Sequence, residues 1–206
     1  REVVIAGNLL VLLDGYGLQL FDLSDPTYPC LIGSLDGGSL RSIVILGTMA
    51  VATHYNDGLL LLDISDPGSI AVVGPRDTYG DALGVAVTAN LAVVADGLAG
   101  VQIFDVSSPT APDSVGCYTE GGAVRDIAVS GEFAYLTGSA GLDVVDISDP
   151  NAPVVKGSLR LSDFLNGIVV SGDYAYVVGN TTFYVIDVSD PSQITVAGTC
   201  TTVWGF

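Results

Sequence analysis

Residues 58–67 read GLLLLDISDP, an apolar run that ends in Asp-x-Ser-Asp-Pro. The chain repeats the phrase as GLQLFDLSDP (17–26), GVQIFDVSSP (100–109), GLDVVDISDP (141–150) and TFYVIDVSDP (182–191). The Asp after each run falls at Asp22, Asp63, Asp105, Asp146 and Asp187, spaced 41, 42, 41 and 41 residues apart. A second marker, Gly33, Gly74, Gly116, Gly157 and Gly198, keeps the same spacing. Five units of one design therefore fill the chain, and internal periodicity of this length governs the fold.

Each unit divides into four short runs. The first, strand a, is EVVIAG, SIVILG, GVAVTA, DIAVSG or GIVVSG. A tight turn at Gly7, Gly47, Ala89, Gly131 or Gly172 leads to strand b, as in FAYLTG and YAYVVG. A Gly-rich loop precedes strand c, the quoted run. The Ser-Asp-Pro turn then leads to strand d around the second glycine marker. Val, Ile, Leu and Tyr bounded by Gly, Asn, Asp and Pro read as strands and turns. The runs are apolar at consecutive positions, as expected of sheets covered on both faces. Pro presets its own φ, and Asp and Ser can accept from nearby backbone N–H groups, so the repeated Ser-Asp-Pro reads as turn chemistry. A calcium site is the alternative, but the dense D-x-D-x-D-G ligand spacing is missing.

Four strands in a unit of 41 to 42 residues predict an all-β, five-bladed β-propeller of four-stranded antiparallel blades. The blades span roughly 1–39, 40–81, 82–122, 123–163 and 164–206, as a single domain. The pattern G-L-x-[ILV]-[ILVF]-D-[ILV]-S-D-P resembles the LVIVD-repeat β-propellers across the whole chain. Blade 3 departs with Ser-Ser-Pro, and blade 5 has Thr182 for the leading Gly. The resemblance implies the propeller fold and a secreted or cell-surface setting, and it does not specify an activity.

Arg1 stands where the next strand a would begin after Gly198, so the chain holds a whole number of repeats. It either closes into a ring or was cut in register from a longer array. The ring is favoured, because an open stack exposes an apolar face at each end. Each blade takes all its strands from one segment, so closure rests on packing. Trp204 and Phe206 in the tail are expected at the ring seam, or as an aromatic anchor for another subunit.

Composition bounds the function. Of 206 residues, 23 are acidic and six are basic, for a net charge of −17. Nucleic acid is a poor partner for that balance, since phosphate contacts need clustered Lys and Arg. No apolar run approaches a membrane span. A chain starting at Arg1 without Met or signal peptide reads as a processed extracellular protein or an excised fragment. Cys30, Cys117 and Cys200 form an odd set without a C-x-x-C pair, and are candidates for disulfides between chains. The single histidine, His54, argues against zinc and against Ser-His-Asp or Cys-His catalysis. It is expected to be a solvated turn residue. No metal or other cofactor is expected.

Strand order places the a–b and c–d turns on one face and the b–c and d–a loops on the other. The first face then carries 12 acids and no base, with Asp25, Asp66, Asp149 and Asp190 from the Ser-Asp-Pro turns among them. The second carries ten acids and all five arginines, including Arg76 and Arg160. Such faces are complementary rather than self-complementary, so stacking runs head to tail. Arg1, Arg41 and Arg125 share one repeat position with Leu83 and Asn166, at the axial end of strand a, where guanidinium groups could hold a carboxylate or phosphate. Pairing with Glu2 and Asp126 is the alternative. The leading expectation is a non-catalytic, extracellular structural module that associates with itself or with other surface proteins. A small-ligand or glycan receptor using the Arg mouth or the Tyr16 and Tyr55 surface is the second. A carboxylate-dependent hydrolase is the third.

Overall fold

Short apolar runs with turn residues between them can satisfy their backbone groups only by pairing with their neighbours in sequence. The computed structural model, which describes residues 2–201, shows five such sheets. Blade 1 holds β1 (Glu2–Ala6), β2 (Leu9–Leu13), β3 (Gly17–Asp22) and β4 (Cys30–Asp36). Blade 2 holds β5 (Leu40–Leu46), β6 (Met49–His54), β7 (Gly58–Asp63) and β8 (Ala71–Arg76). Blade 3 holds β9 (Gly84–Thr88), β10 (Leu91–Ala95), β11 (Val101–Asp105) and β12 (Asp113–Tyr118). Blade 4 holds β13 (Val124–Ser130), β14 (Phe133–Gly138), β15 (Gly141–Asp146) and β16 (Val154–Leu159). Blade 5 holds β17 (Leu165–Ser171), β18 (Tyr174–Gly179), β19 (Thr182–Asp187) and β20 (Thr195–Thr201). Every sheet is an antiparallel meander in chain order, and one turn of 3-10 helix at Pro67–Ser69 is the only helical element among the described residues. The fold expected from the repeat is the fold observed.

The Ser-Asp-Pro turns work as the sequence suggests. The side-chain oxygen of Asp22, Asp63, Asp105, Asp146 and Asp187 accepts from the backbone N–H two residues on, at 2.8–3.0 Å. Asp25, Asp66, Asp149 and Asp190 repeat the device two residues further along their own turns. These hydrogen bonds to Ser or Thr hold Asp22, Asp25, Asp63, Asp187 and Asp190 below the ordinary carboxylate range. Asp146, which also meets Lys156, lies at about 2.

The a–b turns need a left-handed residue: φ is +61°, +65°, +59° and +58° at Gly7, Gly47, Gly131 and Gly172. Blade 3 places Ala89 there at φ 48°. A Cβ in this region is disfavoured, so Ala89→Gly should stabilise the protein by about 0.5–1 kcal/mol. Urea denaturation would read this, and an unchanged or lower midpoint would refute it.

Blades pack face to face. The innermost strands meet in order, β1 on β5, β5 on β9, β9 on β13 and β13 on β17. Four hydrophobic clusters fill the four seams between consecutive blades. Each c–d pair carries a bulge just before the marker glycine. A Cβ on Gly33, Gly74, Gly116 or Gly157 would overlap the carbonyl oxygen of Pro67, Pro109, Pro150 or Pro191, each in the c–d turn of the following blade. The marker glycines are thus slots for the next blade's turn.

The seam from blade 5 to blade 1 differs. Gly198 has nothing within 4 Å of its Cβ position. Val3, on the side of blade 1 that faces away from blade 2, is 58% exposed, while its repeat equivalents Ile43, Val85, Ile127 and Ile168 are 2–8% exposed. Tyr176, on the outward side of blade 5, is 38% exposed, against 0–4% for Val11, Val51, Val93 and Tyr135. The five blades are present as expected, but the closure anticipated between the last and the first is not made by the described residues. An apolar sheet face is left uncovered on each side of that seam. Trp204 and Phe206, expected there, lie outside the described residues.

Candidate functional site: the axial cleft and the two faces

The starts of all five a strands converge. Glu2, Arg41, Ser42, Leu83, Arg125, Asp126 and Asn166 line one cleft of about 320 Å³ on the axis. Arg1 lies outside the described residues. Bulges aim this rim. The a–b register skips one residue at Arg41 in blade 2, at Arg125 in blade 4 and at Asn166 in blade 5. A bulged residue escapes the alternation of its strand and can be redirected. Sequence reasoning placed these residues at the mouth but did not foresee the bulges, whose signal is one extra residue before each apolar run.

The cleft carboxylates bond to backbone of the following blade. Glu2 Oε2 accepts from the backbone N–H of Ile43 at 2.9 Å, and Asp126 Oδ2 accepts from that of Ile168 at 2.9 Å. Each bond joins one blade to the next. Arg41 instead lies over the ring of Tyr55, 4.8 Å from its centroid, and the Tyr55 hydroxyl donates to Asp81 at 2.8 Å. Among the described residues, neither Arg41 nor Arg125 makes a salt bridge, and both are exposed. Among the described residues, Arg41 and Arg125 thus form no salt bridge with Glu2 or Asp126, the alternative reading of the sequence.

Burial pushes both Glu2 and Asp126 above their ordinary carboxylate values, with the backbone N–H bonds opposing it. A raised folded-state value means the folded protein holds these protons more tightly than the unfolded chain. Their contribution to stability is full below the unfolded value and is lost as pH rises through the folded one. As pH rises from about 4, the pair Glu2→Gln and Asp126→Asn should flatten the pH dependence, since each amide keeps an oxygen for the same N–H. Parallel wild-type and variant curves of denaturation midpoint against pH would contradict this.

The other expected site residues are more scattered. Arg76 reaches across a blade seam. Its Nε donates to the Pro112 carbonyl, and its guanidinium lies 3.7 Å from Asp113. Lys156, the bulged residue of β16, lies 3.1 Å from Asp146. The face read as 12 acids with no base thus has basic partners at Asp113 and Asp146. For Arg76 the reason is stagger, since the middle of its d strand lies beside the next blade's c–d turn, whereas Lys156 meets Asp146 across the c–d pair of its own blade. Arg160 is engaged in blade 4, with Asp143 at 3.1 Å and the Ala140 carbonyl at 3.0 Å. Asp25, Asp66, Asp149 and Asp190 are all exposed. Cys30, Cys117 and Cys200 are free and exposed on the outer strands of blades 1, 3 and 5.

His54 is less solvated than expected. Its side chain is mostly covered, Nε2 lies 2.6 Å from the Gly38 carbonyl, and Nδ1 accepts from the Asp57 N–H at 3.1 Å. The ring ties two loops together. Two buried carboxylates were not singled out from the sequence. Asp96 accepts from Thr78 Oγ1 and Gln102 Nε2 at 2.6 Å and from the Gly80 N–H at 2.9 Å, which holds the loop after β10. Asp143 is the partner of Arg160.

Five four-stranded meanders packed face to face around an axis, with an Arg-bearing cleft at one end, define a β-propeller. The LVIVD repeat pattern matches residues 1–36, 37–78, 79–120, 121–160 and 166–202, and the chain belongs to the LVIVD-repeat family. Solved structures agree on fold. A functionally unknown protein from Desulfotomaculum acetoxidans DSM 771 aligns with a TM-score of 0.80 at 15% identity, over 98% of this chain and 69% of that one. A protein from Lactobacillus plantarum gives 0.82 at 16% identity, over 98% and 71%. The β-propeller domain of Myceliophteria thermophila Cps50 (Swd1) gives 0.77 at 13% identity, over 98% and 75%. A search of curated proteins finds no match to the sequence. Among the described residues no helix is long and apolar enough to cross a membrane.

Proposed function

We propose that this chain is a non-catalytic, extracellular structural module that associates with copies of itself, one propeller face stacked on the other. The observation that carries this reading is the state of the charges on the two faces. Asp25, Asp66, Asp149 and Asp190 are exposed on one face, each turn held by its own backbone N–H bonds. Arg41 and Arg125 are exposed on the other, with no salt bridge to a carboxylate among the described residues. Fixed carboxylates opposite unpaired guanidinium groups favour head-to-tail contact and disfavour like-on-like stacking. The free cysteines on the outer strands supply a means of covalent reinforcement in an oxidising compartment. Repulsion from the net charge of −17 opposes the contact, so assembly should need salt to screen it.

Light scattering and negative-stain microscopy at low and moderate salt, with and without reductant, test this. Rods that disappear when Asp25, Asp66, Asp149 and Asp190 are all changed to Asn are expected. A monomer under every condition refutes the reading.

The unpaired arginines also favour a second reading, capture of a small anion in the axial cleft. Titration calorimetry with inorganic phosphate should then show heat that vanishes in the double variant Arg41→Ala, Arg125→Ala. No heat with the unaltered protein would exclude it for this anion.

A further inference from the structure

We propose that the axial cleft receives a free α-amino acid, its carboxylate held by Arg41 and Arg125 and its ammonium by Asp126 and Glu2. This deepens the anion reading given above and rests on it, since the same arginines take the negative charge. The cleft brings charges of both signs together without joining them. Among the described residues neither arginine makes a salt bridge, and both line the same space of about 320 Å³ as Glu2 and Asp126. Two guanidinium groups and two carboxyls give that described lining no net charge once both carboxyls ionise. A bare anion is then attracted by one pair and repelled by the other. A small zwitterion satisfies both, and charges withdrawn from water are costly until they are paired. The volume sits at the small end of ligand pockets, about 300–1,000 Å³.

The carboxylate side is built with room around it. Glu2, Ser42, Gly84, Asp126 and Gly167 hold one repeat position, so the carboxyl of blade 4 stands between glycines of blades 3 and 5. A Cβ on Gly84 would come within 2.8 Å of Asp126 Oδ1, and one on Gly167 within 3.7 Å of Oδ2. Neither glycine has a left-handed φ, so what the pair supplies is space. A carboxylate offers about four acceptor sites. Backbone N–H groups of Ile168 and Ile127 engage Asp126, which leaves capacity for an ammonium. Burial is the main influence that raises both carboxyls; the field of Arg125 is the least of those acting on Asp126, and Asp126 itself adds to the rise of Glu2. A ligand ammonium between them supplies the counter-charge that relieves both. On the other side, Arg41 is held over the Tyr55 ring, which is tied in turn to Asp81. That contact steadies a planar fork suited to a carboxylate. Leu83 and Asn166 complete the lining and are left to meet the amino acid's side chain.

The test begins with a thermal-shift screen of the proteinogenic L-amino acids against the full chain, since a ligand that binds only the folded state raises its melting temperature. Titration calorimetry then compares the amino acid giving the largest rise with its N-acetyl derivative, its carboxamide and inorganic phosphate. The N-acetyl derivative lacks the ammonium and the carboxamide lacks the carboxylate, and each should bind about tenfold or more weakly than the parent. In the double variant Glu2→Gln, Asp126→Asn, the parent's affinity should fall to that of the N-acetyl derivative, while the derivative's own affinity stays unchanged. That unchanged affinity shows that the cleft is still folded. An amino acid bound no more tightly than its N-acetyl derivative overturns the proposal, as does a variant that loses both ligands equally. Phosphate bound with no amino acid bound overturns it and leaves the anion reading standing. An amino acid bound without phosphate supports it and excludes the anion reading for phosphate alone. No binding of any of these ligands overturns both.

Discussion

Gly116→Ala should lower the melting temperature by roughly 10 °C, while Gly198→Ala should leave it nearly unchanged. The two glycines hold the same repeat position and the same bulged place in strand d. They differ in what stands opposite. A Cβ at Gly116 meets the Pro150 carbonyl oxygen, backbone of the next blade's turn, which cannot rotate aside as a side chain could. Overpacking a tight contact costs about 3 kcal/mol, and each kcal/mol moves the melting temperature of a chain this size by roughly 2–4 °C. At Gly198 the same methyl meets nothing within 4 Å. Differential scanning calorimetry of the two variants decides the matter. Equal losses would mean that the last seam is packed like the others, and two silent variants would mean that the glycine slots do not constrain the blades.

Arg160→Ala should destabilise the fold by about 2–3 kcal/mol. The Asp143 side chain is 3% exposed in the middle of β15, and Arg160 Nη1 lies 3.1 Å from it. Removing the guanidinium leaves a carboxylate inside the sheet stack with no counter-charge. The cost is that of a stranded buried charge, discounted because the Arg160 side chain is itself 55% exposed and its partner's field is partly screened. Asp143→Leu combined with Arg160→Ala should recover most of the loss, since blade 2 carries Leu60 at the equivalent position. Guanidinium denaturation of the single and double variants checks both statements. A silent Arg160→Ala would show that the pair contributes nothing, and a double variant no better than the single would show that the damage is not electrostatic.

Within a blade, the sequence was almost sufficient. The alternation of apolar runs and turn residues located every strand, and the five matching phrases put them in phase. The Ser-Asp-Pro turns were legible because their hydrogen bonds join residues two apart. The convergence of Arg41, Leu83, Arg125 and Asn166 on the axis was legible because equal repeat positions must be equivalent around an axis. Between blades, less was legible. The charge map divided the loops by strand order alone, and Arg76 with Asp113 crosses that division. The mouth carboxylates looked like partners for arginine, yet Glu2 and Asp126 bond to backbone in the following blade. No spacing in the chain announces a bond that depends on how far one sheet is displaced along the next.

The sequence by itself determined the blade: its strands, its turns, the marker glycine and the number of copies. Those follow from local forces, chiefly the two-residue period of a strand, the φ that a turn demands and the reach of an Asp side chain to nearby N–H groups. Only the tertiary structure decided how the blades meet, and hence that four seams are packed while the described residues leave the fifth open. Ring closure depends on the angle accumulated over successive sheet-on-sheet contacts, a sum of small rotations set by side-chain volumes on both faces. Identical repeats specify each rotation alike, and they do not specify that five of them complete a turn.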